Sequence, residues 1–599
     1  MSFRTLLARI LAILLPLSAT ATLYLYLYPV LNGCAFPLPR SQVTRAESSS
    51  ILEKVQQNAF TNTILQHLAP ATTTDNQPAI FRLLVLADPQ LEGDTSLPFP
   101  EFELVPRIRT HWRAVHEAIG NTATTPAVFG LTPDVRSNIT TSLWTLATED
   151  IPRSLSATQK RIDLLGNDFY LAHIYRTLFW WTRPTHTTVL GDLLGSQWIT
   201  DEEFSDRSDR YWNRVFKGGL RVDDEITWTG AVASHAADQD KSDKHLEPLG
   251  PDSDPSWPRR IINIAGNHDI GYAGDVSEAR MDRFEREFGR ANWDIRFQHP
   301  PLVDDSHDHS GSVPTLHVIN LNTLIMDTPA LSSELQSQSY LYLNDLISHR
   351  LYPVEDKSVF TLLLTHLPLH KKDGICTDGP LFTFHEEDDD EGVDGVPRFK
   401  AGGLREQNHL SDFVSDTGIL RGIFGMSGDV DAPVGGRGRK GLILTGHDHV
   451  GCDVVHYVEP VEESEKEESE ADLHWKWAAR RYEENGDSES PSIREVTLRS
   501  MMGEFGGNAG LLSVWFDADL GEWDYEITMC PAGVQHIWWA VHVAILVTIA
   551  VGLLWALTAL VGGGSGKRRG VYVPKMGKVS QPLRVKEKAS TQGAEPRKQ

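Results

Sequence analysis

Five short apolar runs in this chain each end on residues that can bind a metal or move a proton. Residues 81–87 end at Asp88-Pro89-Gln90, and residues 187–190 end at Gly191-Asp192. Residues 260–265 end at Gly266-Asn267-His268-Asp269. Residues 359–364 end at Thr365-His366, and residues 442–444 end at Thr445-Gly446-His447-Asp448-His449. Continuous short apolar runs closed by turn-forming residues read as buried strands. Taken singly, a histidine after a strand is more often structural than a ligand. As an ordered set, the tips supply carboxylate, imidazole and carboxamide groups, the donors suited to Mn, Fe or Zn. Helical stretches at 167–181 and 282–288 lie between some of the runs. The layout predicts an α/β sheet with its polar tips along one edge.

Gly266-Asn267-His268-Asp269 and Gly446-His447-Asp448-His449, with Gly191-Asp192 upstream and Thr365-His366 between, resemble the motifs of the calcineurin-like metallophosphoesterase superfamily. The resemblance implies a sandwich of two central β-sheets flanked by helices. It implies two divalent metals, Mn first, with Zn or Fe as alternatives. Asp192 is then the shared carboxylate. Asp88, Asp192 and His449 take one metal, with Gln90 beside them; Asp192, Asn267, His366 and His447 take the other. His268 stands beside the phosphate and protonates the leaving oxygen, and Asp269 orients it. Gly266 and Gly446 leave space where a Cβ would crowd the metals. The chain departs from the family twice. Gln90 stands where the family carries histidine, and Gly195 where it often carries aspartate. A neutral amide oxygen is the weaker ligand, so the first metal is expected to be the looser.

The Asp88-Pro89-Gln90 tip, the run Gly191-Asp192-Leu193-Leu194-Gly195-Ser196-Gln197 and the flanking apolar segments are similar to the ER-membrane enzymes that trim ethanolamine phosphate from GPI anchors. Within that group the chain resembles the fungal branch linked to trafficking of cargo dependent on Emp-type receptors. The resemblance implies removal of ethanolamine phosphate from a mannose, the second, of protein-linked anchors. GPI-anchored proteins are then the substrate, and Emp-type cargo receptors read the product. A phosphodiesterase acting on another lipid or nucleotide, and a non-catalytic adaptor, are the competing readings. His370, Arg405, Gln407 and Asn408 are candidates to touch phosphate or sugar. Asp168 and His173, on a helix, read first as caps, surface or satisfied core residues.

Residues 11–31 carry no charge and follow Arg4 and Arg9; residues 537–561 carry one histidine, His542, and begin beside Trp538 and Trp539. Each is long enough to cross a bilayer. Lys567, Arg568 and Arg569 follow the second stretch, which places that tail in the cytosol. An uncleaved first stretch puts both termini there, and the body in the ER lumen. Ala19-Thr20-Ala21 offers the alternative of a cleaved signal. The expected organisation is an anchor over 1–36, a stem over 37–79, a catalytic domain over 80–530, a membrane helix over 531–563 and a basic tail over 564–599. Asn138-Ile139-Thr140 is a glycosylation sequon. Cys34, Cys376, Cys452 and Cys530 allow pairing, with Cys376–Cys452 the pair nearest the tips. The net charge is −25, although the tail carries ten Lys and Arg against two acidic residues. An acidic body argues against nucleic acid as partner. The acidic runs near 385–394 and 459–470 read as solvated loops.

Overall fold

A computed structural model of the chain describes residues 2–39, 59–68, 80–93, 97–122, 133–228, 246–300, 313–350, 352–386, 398–461, 474–483 and 490–562. Most of the expected stem, much of the acidic runs and the basic tail lie outside these residues. The chain divides into two compact units. The smaller unit holds the outer part of α1 (Phe3–Leu31) and the outer part of α9 (Gln535–Gly562). There the Ser18 and Thr548 hydroxyls are 2.8 Å apart, and the Arg4 guanidinium lies 5.5 Å from the Trp555 ring centre. Both helices are long and apolar enough to cross a membrane.

The larger unit is built on two large sheets. One has the order β16 (Glu522–Pro531), β15 (Asn508–Asp517), β1 (Phe81–Leu86), β2 (His186–Val189), β5 (Arg260–Asn263), β3 (Leu220–Arg221). The other has the order β13 (Trp475–Arg481), β12 (Cys452–Pro460), β14 (Ser492–Thr497), β11 (Gly441–Thr445), β8 (Val359–Leu364), β7 (Thr315–Asn320), β6 (Trp293–Gln298), β4 (Leu246–Pro248). A separate ribbon pairs β9 (Phe382–Phe384) with β10 (Leu404–Gln407).

Successive strand side chains point to opposite faces. Phe81, Leu83 and Val85 of β1 and Leu512 and Val514 of β15 therefore share a face. Phe360, Leu362 and Leu364 of β8 with Leu442 and Leu444 of β11 do so in the second sheet, and both sets belong to one apolar core cluster. Leu84 and Leu86 on the other face of β1 are buried too. Burial on both faces is why these strands read as continuous apolar runs.

β1, β2 and β5 run parallel, with Leu84 opposite Thr187 and Thr188 opposite Ile262. β8 and β11 are parallel neighbours in the second sheet, with Leu362 opposite Leu442. Parallel neighbours in register deliver their C-terminal tips side by side. All five strands read from the sequence are present, with β1, β2 and β5 stopping one or two residues short of the expected runs and the chain continuing into each tip.

Between β1 and β2 lies a helical insert of α3 (Leu104–Thr122), α4 (Pro133–Thr145) and α5 (Ile151–Thr182). The short α2 (Ala59–Leu68) precedes the sheets, and α6 (Asp201–Arg210), α7 (Glu278–Phe288) and α8 (Ser333–Ser348) follow β2, β5 and β7. Thr200, Ser277 and Ser332 cap these last three, each side-chain oxygen accepting a backbone N–H of the first turn. The C-terminal half of α5 receives the inner ends of α1 and α9. Trp181 Nε1 donates to the Tyr26 carbonyl at 2.7 Å, and the Tyr170 hydroxyl to the Gly533 carbonyl at 3.2 Å. Disulfides join Cys34 to Cys530 and Cys376 to Cys452, and no cysteine is free. The pair Cys34–Cys530 was not singled out by the sequence.

Candidate metal centre

The turns after β1, β2 and β11 hold their functional residues in a backbone region that side chains rarely adopt. Asp88, Gln90, Asp192 and His447 have φ of 50°, 38°, 49° and 71°. Non-glycine residues in this region cost roughly 1–3 kcal/mol each and cluster at functional sites. Close approach explains the flanking glycines. A Cβ on Gly266 would sit 2.0 Å from the Asp192 nitrogen, and one on Gly446 would sit 2.4 Å from the Leu190 carbonyl oxygen.

The tips of both sheets converge on Asp192. Asp192, His366 and His447 place ligand atoms within 4.8 Å of one another, and so do Asp88, Asp192 and His449. One carboxylate is common to both groups. Asn267 Oδ1 lies 2.9 Å from His366 Nε2 and 3.0 Å from His447 Nδ1, so the carboxamide joins the first group. His366 Nδ1 lies 2.8 Å from the Leu190 carbonyl, and donating there leaves Nε2 its lone pair, the form a metal requires. That nitrogen is 3.4 Å from Asp192 Oδ1. In the second group, Gln90 Nε2 donates to Asp192 Oδ2 at 2.9 Å and lies 3.1 Å from His449 Nε2.

The electrostatics describe a site short of positive charge. Burial and the neighbouring Asp192 push the Asp88 carboxyl well above its ordinary range. Burial acts the same way on Asp192, but the imidazoles of His366, His268 and His447 outweigh it and hold the group at about 2. Burial and then His366 push His447 down to about 3, and burial also lowers His366 and His449. Neutral imidazoles and buried carboxylates are the donor states of a divalent cation site. Asp88 Oδ2 is buried without a hydrogen-bond partner among the described residues. That orphaned oxygen, beside the converging lone pairs, fits a bound metal.

His268 is the open member of the cluster. Its side chain is 38% exposed, with Nε2 3.9 Å from Asp192 Oδ2. The expected pairing of Asp269 with the His268 ring is corrected by the structure. Both carboxylate oxygens of Asp269 accept backbone N–H groups, from Gly266 at 2.9 Å, Leu193 at 3.1 Å and Leu194 at 2.8 Å. Asp269 thus clamps the second and third tips together.

The structure brings Asp88, Gln90, Asp192, Asn267, His268, His366, His447 and His449 to one place. Among the substrate candidates, His370 is half-buried and its N–H bonds Ser415, Arg405 is exposed on β10, and the Asn408 amide donates to the Gly379 carbonyl. Asp168 is taken up by Arg210 and Arg214 at 2.7 and 2.6 Å. Asn138 is exposed on α4. Sequence reasoning missed Ser500, whose hydroxyl donates to the Asp88 carbonyl and whose N–H donates to the His449 carbonyl. The segment beyond it does reach the site, with the Phe505 ring 4.8 Å from that of His449. Tyr272, with its ring 6.3 Å from that of His447, was also missed. Its only signal is its place just after the third tip.

Two sheets that bring Asp, Asn and His from parallel strand tips to one shared carboxylate mark a metallophosphoesterase-like protein. No protein-family model matches the chain. Protein TED1 of Saccharomyces cerevisiae is 32% identical over 414 residues, which cover 65% of this chain and 77% of that protein. An uncharacterized protein of Schizosaccharomyces pombe is 25% identical over 66% of this chain and 81% of its own length. Metallophosphoesterase 1 of Danio rerio is 21% identical over 49% of this chain and 60% of its own. The chain belongs to the metallophosphoesterase-like family that includes Protein TED1.

Proposed function

We propose that this chain is a metal-dependent phosphodiesterase that removes ethanolamine phosphate from a mannose, the second, of protein-linked GPI anchors. The observation that carries the reading is Asp192, one buried carboxylate common to two donor groups. The name of the Danio rerio relative supports phosphoester chemistry. The two apolar helices support a membrane-bound substrate. The fold is then the calcineurin-like sandwich. The body lies in the ER lumen, both termini lie in the cytosol, and Asn138 carries a glycan. Emp-type receptors collect the trimmed cargo.

Asp88, Asp192 and His449, with Gln90 alongside, would hold one divalent cation; Asp192, Asn267, His366 and His447 would hold the other. Mn leads, with Zn or Fe as alternatives. Such metals supply positive charge against phosphoryl oxygens and acidify water. The remaining work falls to the chain. Asp192 Oδ1 accepts the His268 N–H at 2.9 Å and fixes that residue's backbone. As a water oxygen bonds phosphorus and the bond from phosphorus to the mannose oxygen breaks, the His268 ring, open to solvent, gives a proton to that departing oxygen. Asp269 keeps the second and third tips in register.

The test is mass spectrometry of GPI glycans from a deletion strain carrying wild-type or Asp192→Asn protein. An extra ethanolamine phosphate on one mannose in the mutant alone supports the reading and names the position. Identical glycans overturn it. A second reading, a non-catalytic adaptor for GPI-protein export, is favoured by Gln90 and Gly195 at two expected ligand positions. Full rescue of the deletion by Asp192→Asn selects it.

A further inference from the structure

The insert between β1 and β2 presents apolar side chains to the outside. On α5, Ile151, Leu155, Ile162, Leu165, Phe169 and Trp180 are exposed. At about 100° per residue these positions fall on one narrow stripe. The same face receives the membrane helices. A Cβ on Gly166 would lie 1.7 Å from the Trp539 ring, and the His173 ring packs edge-on against Tyr26 at 5.3 Å. The exposed stripe is therefore continuous with an interface already occupied by α1 and α9.

α3 repeats the pattern, with Val105, Ile108, Trp112 and Ile119 exposed along one side. Trp112 on α3 and Trp144 on α4 are each 71% exposed. Tryptophan favours the membrane–water boundary, where its apolar ring and polar N–H are both satisfied. The charge fits as well. Residues 97–182 carry eight Lys and Arg against eight acidic residues in a chain of net charge −25, and on α3 Arg109 and Arg113 border the apolar side while Arg107 is taken up by Asp150. A cation-bordered apolar helix suits an anionic lipid surface. An open groove of about 520 Å³ at the start of the insert is lined by Phe99, Phe102, Arg153 and Lys160, again apolar with cations. Asn138 sits five and six residues before Leu143 and Trp144, roughly 120–140° round α4, so a glycan there points away from their side.

The insert is tied to the metal centre. Buried Asp150 accepts from Arg107 Nε at 2.9 Å and lies 2.7 Å from His111 Nε2, which joins α3 to the start of α5. Lys160 Nζ of α5 bonds Glu92 at 2.6 Å, two residues beyond Gln90. We propose that α3, α4 and the exposed stripe of α5 lie on the phospholipid bilayer and hold the first tip of the metal centre at a fixed height above it. The proposal rests on the membrane association of α1 and α9, and not on the substrate.

The native cysteines are all paired, so an engineered thiol can be labelled alone. Full-length Trp112→Cys, Trp144→Cys and Leu155→Cys proteins carry bimane in vesicles of phosphatidylcholine and phosphatidylserine with brominated acyl chains. Glu117→Cys, exposed on the other side of α3, is the aqueous control, and Leu546→Cys in α9 is the lipid control. The expected result is bromine quenching at the three test positions several-fold above that at the Glu117 position. Test labels quenched no more than that control, with the Leu546 label quenched, overturn the proposal alone. A Leu546 label that also escapes quenching overturns the membrane reading with it. Test labels shielded from an aqueous quencher yet untouched by bromine mean that a protein covers the surface, and the lipid assignment falls.

Discussion

At Gln90 the side-chain amide lies 2.9 Å from Asp192 and 3.1 Å from His449, where the family carries an imidazole. A neutral amide binds a divalent cation less firmly, so the two proposed metal positions should differ in affinity. Gln90→His should tighten the weaker position by about tenfold or more, the scale on which single changes around a metal act. Metal content after dialysis against a chelator series reads this directly, and unchanged retention would remove Gln90 from the site. His268 makes a separate prediction. His268→Asn should lower turnover on an alkyl phosphodiester by about 10²–10⁴, the range of general acid catalysis, while metal content stays constant. On bis(p-nitrophenyl) phosphate, whose leaving group needs no proton, the loss should be much smaller. Equal losses on both substrates would make His268 something other than the acid. The candidate ligands were legible because each follows an apolar run on a strand tip. The role of Asp269 was not, because its partners are backbone amides, which no sequence displays.

The strands read from the sequence are buried on both faces; β7 and β15 are too, but His317, Asn320, Asn508 and Ser513 interrupt their apolar runs. β1, β5, β8 and β11 read as apolar runs because of that burial. β12 alternates buried and half-buried positions, and β16 is half-buried along much of its length, so neither stood out. α3 was missed because its apolar residues are few and exposed. Support for the fourth tip came from an equally quiet place, Glu495 on β14. Its carboxylate accepts the Leu369 N–H at 2.9 Å, lies 3.1 Å from Lys371 Nζ and 2.6 Å from His456 Nε2, and is fully buried. Burial pushes this group up, but Lys371 and His456 outweigh it and hold it at about 2, below the ordinary 4.5. A depressed carboxylate contributes stability that is present above about pH 4.5 and lost as pH falls towards 2. Glu495→Gln would leave Lys371 buried without its counter-charge and should cost about 3–5 kcal/mol near neutral pH. Urea midpoints across pH test this: the gap between wild type and variant should close between about pH 4.5 and 2. A Glu495→Met/Lys371→Met double variant should recover most of the loss, and a gap independent of pH would refute the assignment.

For the whole molecule, the two terminal helices decide on which side each end lies. In the smaller unit Arg4 meets Trp555 and Ser18 meets Thr548, so the helices run antiparallel. In the larger unit Cys34, just beyond α1, is bonded to Cys530, just before α9. Read as crossing a bilayer, an antiparallel pair leaves both chain ends on one face. A disulfide needs an oxidising compartment, so the proposed topology expects the body there and the termini opposite. Ser18 and Arg4 also lie upstream of Ala21, so cleavage at the small-residue site would discard the partners of Thr548 and Trp555. The expectation is that the first 31 residues are retained. Intact microsomes carrying a tag at each end should lose both tags to added protease, while a glycan at Asn138 stays protected and is released by endoglycosidase only after solubilisation. An N-terminal tag missing before protease would show that the first helix is a discarded signal. An N-terminal tag that survives protease while the C-terminal tag is lost would break the antiparallel arrangement itself, because two helices paired head to tail cannot end on opposite faces of one bilayer.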